Sequence, residues 1–133
     1  MTRGLRNNNP GNIRISSTKY QGEIQPSQDS AFKQFETMPY GYRAMFMVLY
    51  TYQKKYGLNT IEELINRYAP SNENNTNGYI QRVSKQSGIP ANQPINTQDK
   101  SQMIPIVSAM SEVENGVPAV KSDVEQGWNL FVS

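Results

Sequence analysis

The feature that most limits the fold of this chain is a change of period near Gly41. Ahead of it no stretch sustains a helical repeat. Residues 3–12, Arg-Gly-Leu-Arg-Asn-Asn-Asn-Pro-Gly-Asn, hold two glycines, a proline and four asparagines, residue types that turn the chain and hydrogen-bond nearby backbone. This segment reads as loop. Ile13-Arg14-Ile15 then alternates, and Lys19–Ile24 and Ala31–Phe35 also have the pattern of short strands, which predicts a small antiparallel sheet.

From Gly41 onward the apolar residues fall at helical spacing. Tyr42, Met45, Phe46, Leu49 and Tyr56 share one stripe, interrupted by Gln53, while Met47, Val48, Tyr50 and Tyr52 spread apolar surface to other faces. Such a helix belongs at the centre of a fold, and Gly57 closes it. Thr60 and Glu63 form a capping box that opens a second helix burying Ile61, Leu64, Ile65 and Tyr68, which ends before Pro70. After the polar loop 71–75, Thr76 is expected to cap a third helix through Tyr79, Ile80 and Val83, stopped at Gly88. Thr97 is expected to cap a fourth through Met103, Ile106, Val107, Met110 and Val113, with Pro105 kinking or delaying it and Gly116 as its stop. A last short helix spans about Val120 to Gln126, ahead of Gly127 and the lone tryptophan, Trp128. A small sheet followed by four or five helices is the α+β class, and 133 residues suit a single domain.

Composition narrows the chemistry. The chain has no cysteine and no histidine, which removes disulfides, thiolate metal sites, Ser–His or Cys–His pairs and HExxH zinc sites. A general acid or base must then be a carboxyl, lysine or tyrosine. Thirteen basic against eleven acidic side chains give a formal charge of +2, too little to call for nucleic acid or an anionic membrane. No phosphate loop, dinucleotide fingerprint or EF-hand spacing is present. No apolar run approaches the ~20 residues needed to span a bilayer, and the first ten residues lack a signal-peptide core. The expectation is a soluble protein that is neither exported by that route nor inserted in a membrane.

Three clusters stand out: Asn7-Asn8-Asn9-Pro10-Gly11-Asn12-Ile13; Tyr68-Ala69-Pro70 with Glu73-Asn74-Asn75-Thr76 and Tyr79; and Glu112-Val113-Glu114-Asn115-Gly116. The span Arg3 to Arg14, Phe35, Gly41-Tyr42-Arg43-Ala44, Tyr56-Gly57-Leu58-Asn59-Thr60-Ile61 and Glu114-Asn115-Gly116 resemble small phage and prophage proteins of the virion structural protein P5 family, a likeness over nearly the full length. More distantly, Asn8-Asn9-Pro10-Gly11-Asn12-Ile13 and the stretch Phe35 to Tyr42 are similar to lysozyme-like peptidoglycan hydrolases of the glucosaminidase type. In those enzymes a helix ending in Glu-Ser-Gly precedes the Asn-Asn turn. Here the similar Glu114-Asn115-Gly116 stands near the other end, as a circular permutation would leave it.

The resemblance implies a lysozyme-like domain that cleaves the glycan strands of peptidoglycan, as a muramidase, glucosaminidase or lytic transglycosylase, without metal or organic cofactor. Glu114 is then the general acid/base. Its place at a helix C-terminus, with partial burial, raises a carboxyl's pKa, although a solvated residue in a helix-ending turn would have the same sequence. The implied substrate contacts are Asn8, Asn9, Tyr79 and Glu73; the asparagines equally suit turn formation, Tyr79 a core stripe, and Glu73 a loop charge. Glu23, Glu36 and Glu73 are candidates for a second carboxyl. The alternative is a non-catalytic virion structural or glycan-binding protein. The implied partners are glycan strands and other virion proteins, and the implied location is the virion or the bacterial cytoplasm of a prophage host.

Overall fold

The computed structural model describes residues 1–72 and 74–133, and within them the chain is mostly helical, with six helices and one two-stranded antiparallel sheet. The sheet is smaller than the alternation suggests. Only Glu23–Ile24 (β1) and Gln34–Phe35 (β2) pair as strands, with Glu23 opposite Phe35. Ile13–Ile15 contributes a single bridge, Arg14 to Phe32. The rest of this region is held by side chains, with Ser27, Asp29 and Lys33 bonding backbone groups in place of ladder hydrogen bonds.

Residues 3–12 are not all loop: Arg3–Arg6 make one helical turn (α1), started by Thr2, whose hydroxyl accepts from the Leu5 amide. Arg3 is clamped to Asp29 at 2.6 and 2.7 Å. With the Ala31 and Phe32 amides also donating to it, this carboxyl is held well below the usual carboxylate range, the Arg3 contact being the largest cause.

The central helix α2 (Met38–Tyr56) starts before Gly41 because Pro39 sits in its first turn, where a missing N–H breaks no intrahelical bond. Tyr42, Met45, Phe46 and Leu49 are buried as the stripe requires, but Tyr56 is 45% exposed. Gln53 interrupts the stripe for a reason: its amide donates to the Ile95 carbonyl and accepts from Thr97, fastening the 95–97 link. Thr97 is therefore not a cap, and Asp99 caps α5 (Lys100–Asn115) instead, with Pro105 inside that helix. Likewise Asn75, not Thr76, caps α4 (Thr76–Ser87), while the buried Thr76 hydroxyl donates to the Ala69 carbonyl. The Thr60 box holds at the start of α3 (Ile61–Tyr68), with Glu63 bonding the Asn59 amide.

The last helix, α6 (Lys121–Val132), runs through Gly127 and past Gln126. It packs along α2, and a Cβ on Gly127 would lie 2.6 Å from that of Tyr42. The glycine thus permits a close crossing and does not stop the helix. Trp128 meets Phe46 edge-on at 5.0 Å between centroids, so it seals the core.

Gly41 marks where α2 passes the Asn-rich turn. A Cβ there would stand 2.1 Å from the Asn8 carbonyl oxygen and 2.6 Å from Pro10. Since that contact is with backbone, Gly41→Ala is expected to cost about 1–3 kcal/mol, at the upper end of that range, visible as a lower urea midpoint with unchanged slope.

Candidate active site

Glu114 is the penultimate residue of α5, just before Gly116 ends the helix in the left-handed region at φ 74°. The Asn-rich turn is fastened against this end. Asn115 is buried, donates to the Pro10 carbonyl at 2.8 Å and accepts from the Thr2 hydroxyl at 2.8 Å. Asn12, itself left-handed at φ 49°, then donates its amide to Glu114 Oε1 at 2.9 Å. From the other side, α4 brings the Tyr79 hydroxyl to Glu114 Oε2 at 3.0 Å. One carboxyl is thereby fixed by three separate segments.

Burial pushes the Glu114 pKa up, against a smaller opposing pull from the Asn12 and Tyr79 donors, which favour the charged form. The phenols of Tyr68 and Tyr79 are driven well above their ordinary value, first by burial and then by the Glu114 charge. Both remain neutral donors across physiological pH. In Tyr79→Phe the carboxylate loses one donor while the ring keeps its packing, so the Glu114 pKa is expected to move further up. A carbon-13 NMR titration of the Glu114 carboxyl reads this directly, and a downward move would remove Tyr79 from that role.

Glu114 lies where two clefts meet. One, of about 510 Å³, is walled by Asn12, Arg14, Tyr20, Tyr52 and Tyr68, among others. The other, of about 350 Å³, is walled by Asn75, Gly78, Tyr79, Arg82 and Val113. Asn74 and Glu114 line both. Each is of ligand size. Together they make an open groove interrupted by the carboxyl, and Glu114 is the only acidic side chain on its walls among the described residues.

The expected contacts are sorted by this geometry. Tyr79 sits on the core stripe, 6% exposed, and its hydroxyl is bonded to Glu114. Asn8 and Asn9 line neither cleft. Asn9 is fully buried, its amide bonding the Ile13 and Lys33 carbonyls and accepting from the Ile13 amide. Asn8, left-handed at φ 52°, donates to the Phe35 and Glu36 carbonyls. Their amide groups are paired with backbone and shape the turn that presents Asn12, the turn-forming role their sequence also suits. Glu73 lies outside the described residues. Glu23 is no partner for Glu114: it is held by the buried Lys33 at 3.0 Å and lines neither cleft. Glu36 is exposed and lines neither. Asn12, Tyr68 and Asn74 fall within the clusters named in the sequence but have no place among the expected substrate contacts. The signal for Asn12 was its place in the Asn-Pro-Gly-Asn turn, where asparagine tolerates a positive φ.

No protein-family model matches the chain. It is 41% identical over 135 aligned residues to protein P5 of Pseudoalteromonas phage PM2, an alignment covering 97% of this chain and 82% of that protein. The chain belongs to the P5 family. In this P5-family chain no described helix is long and apolar enough to cross a membrane. Among the described residues no group of three or more His, Cys, Asp or Glu side chains is gathered as for a metal.

Proposed function

We propose that this P5-family protein cleaves the glycan strand of peptidoglycan, with Glu114 as general acid and then base, on a lysozyme-like fold whose catalytic helix has been moved to the C-terminal part. The observation that carries the proposal is Glu114 itself: a partly buried carboxyl with raised pKa, held by Asn12 and Tyr79, at the junction of two clefts. The start of the chain touches the end of α5 through Thr2 and Asn115. A helix ending in Glu114 could therefore be joined ahead of the Asn-rich turn with little displacement, which supports the permuted relation.

The chemistry follows from the donors. Asn12 can offer only N–H to Oε1 while its amide keeps this orientation, whereas the Tyr79 hydroxyl can rotate to accept. The neutral form of Glu114 therefore carries its proton on Oε2. That proton passes to the glycosidic oxygen as the bond to the anomeric carbon breaks, leaving Glu114 ionised. The carboxylate then takes a proton either from water, giving hydrolysis, or from a hydroxyl of the same sugar, giving an internal anhydro linkage. The remaining assistance would come from a second carboxyl or from the substrate's own acetamido group. Peptidoglycan incubated with the protein should release muropeptides, and mass spectrometry distinguishes hydrated from anhydro ends. No release across pH would leave the second reading, a non-catalytic virion component, which the phage origin of the relative favours.

A further inference from the structure

Among the described residues the larger cleft is walled by four aromatic side chains, Tyr20, Phe32, Tyr52 and Tyr68. Phe32 already carries the guanidinium groups of Arg3 and Arg14, at 4.8 and 5.1 Å from its ring centroid. Tyr52 is covered at 5.2 Å by Arg67, which is exposed, and the Tyr68 hydroxyl is committed to the Gly11 carbonyl at 2.5 Å. Tyr20 differs, because the group that covers it comes from inside the protein. Lys33 Nζ stands 5.6 Å from its ring centroid, and the Lys33 side chain is fully buried, so the covered face is the inner one. The half-buried ring is left with its other face for the cleft it walls. The same ammonium fixes the ring in place. It bonds both Glu23 oxygens and, at 2.7 Å, the Thr18 carbonyl. Glu23 in turn holds the Tyr20 backbone, its Oε1 accepting from the Tyr20 amide and its own amide donating to the Tyr20 carbonyl, both at 3.1 Å. Apolar residues can replace a buried ion pair without loss of stability, and the proposed chemistry at Glu114 makes no use of this one. What the pair does is set one aromatic ring on the groove wall before any ligand arrives, which lowers the cost of binding there.

We infer that Tyr20 is the stacking platform of the larger arm, taking the face of one pyranose ring of the glycan strand at a place set by the Lys33–Glu23 pair behind it. The inference rests on the proposed glycan-strand reading and deepens it, by assigning a residue that grips the strand away from the reacting bond. The C–H groups on a pyranose face are apolar and pack on a rigid aromatic surface, whereas the hydroxyls and acetamido group at the ring edge need donors and acceptors. Ser16, Thr51 and Asn74 on the same walls provide these. A nucleic-acid base would stack on the ring as well, but its phosphates would share the cleft with the Glu114 carboxylate, a like charge that disfavours them.

The test uses soluble peptidoglycan glycan strands freed of their peptides, and the full chain carrying Glu114→Gln so that the strand stays whole. Adding Tyr20→Leu should weaken strand binding about three- to tenfold, the range expected for one lost aromatic stacking contact, while Tyr20→Phe should keep it. In proton NMR the ring protons of one bound sugar should move upfield in the parent and in Tyr20→Phe, and lose that shift in Tyr20→Leu. A tyrosine that only supports the fold would not produce the shift, and because it is read in the parent it stands even where Tyr20→Leu folds poorly. Undiminished binding by Tyr20→Leu, or strand binding with no upfield sugar proton, overturns the inference and leaves cleavage at Glu114 untouched. Tyr20-dependent binding by a protein whose wild type releases no muropeptides keeps the inference and removes the enzymatic reading. No binding of the strand overturns the inference too, and the muropeptide assay then decides separately whether the activity stands. Tyr20-dependent binding of an oligodeoxythymidine in preference to the strand also overturns it, reassigning the platform to nucleic-acid bases.

Discussion

Glu114→Gln should abolish muropeptide release, by about 10²–10⁴-fold, and at the same time make the protein more stable at neutral pH. The second half follows from the raised pKa. A carboxyl that binds its proton more tightly in the folded than in the unfolded chain costs stability as it ionises. Stability therefore falls as pH rises from the ordinary value of 4.5 through the higher folded value. Glutamine imitates the neutral form, with Nε2 free to donate to the Tyr79 oxygen and Oε1 to accept from Asn12. The gain should be full well above the folded pKa and vanish below about pH 4. Thermal melts of both proteins between pH 3 and pH 8 (chosen to bracket this window) read it out. A variant that is inactive but no more stable at pH 7 would show that Glu114 is not held in a desolvating site. Activity that persists in the variant would remove it from the catalytic role.

The largest stability loss is expected at Lys33. Its side chain is fully buried and its ammonium bonds both oxygens of Glu23, at 3.0 and 3.1 Å, and the Thr18 carbonyl at 2.7 Å. Glu23 is itself 4% exposed. Lys33→Met strands that carboxylate and frees the loop carrying Ser16 and Tyr20, which wall the larger cleft. The expected cost is about 3–5 kcal/mol, because an unpaired buried charge is much worse than no charge, or a melting point lower by about 10–15 °C. Cleavage should weaken with it as the wall loosens. Adding Glu23→Leu to Lys33→Met should recover most of the stability, since the pair's worth lies in its mutual satisfaction. A single variant as stable as the wild type would contradict the burial of the ammonium.

How much of this was legible beforehand differs by region. The α2 stripe of Tyr42, Met45, Phe46 and Leu49 was readable because a buried helix face repeats every few residues, and the Thr60–Glu63 box because its chemistry is local. The start of α2, the caps of α4 and α5, and the full length of α6 were not. At the last three, a locally plausible residue is engaged instead by a contact outside its own helix, Thr76 with Ala69, Thr97 with Gln53 and Gly127 with Tyr42, whereas α2 starts early because Pro39 fits its first turn. In the site, Glu114 and Tyr79 stand out in the sequence, and the fold brings them into hydrogen-bond contact. For Asn8 and Asn9 the sequence left substrate contact and turn formation open, because it shows that amides are present, not where they point.

The order of residues by itself determined that any proton chemistry must use carboxyl, lysine or tyrosine, that a helix would end at Gly116, and that a turn rich in asparagine would stand near the start of the chain. Only the tertiary structure decided that this turn closes on that helix end, so that Asn12 reaches Glu114 across 102 positions of sequence. It also decided that the same carboxyl is half-withdrawn from water between two clefts. The physical reason is that desolvation and hydrogen-bond direction belong to the space around a group, which the folded backbone sets and neighbouring residues in sequence do not.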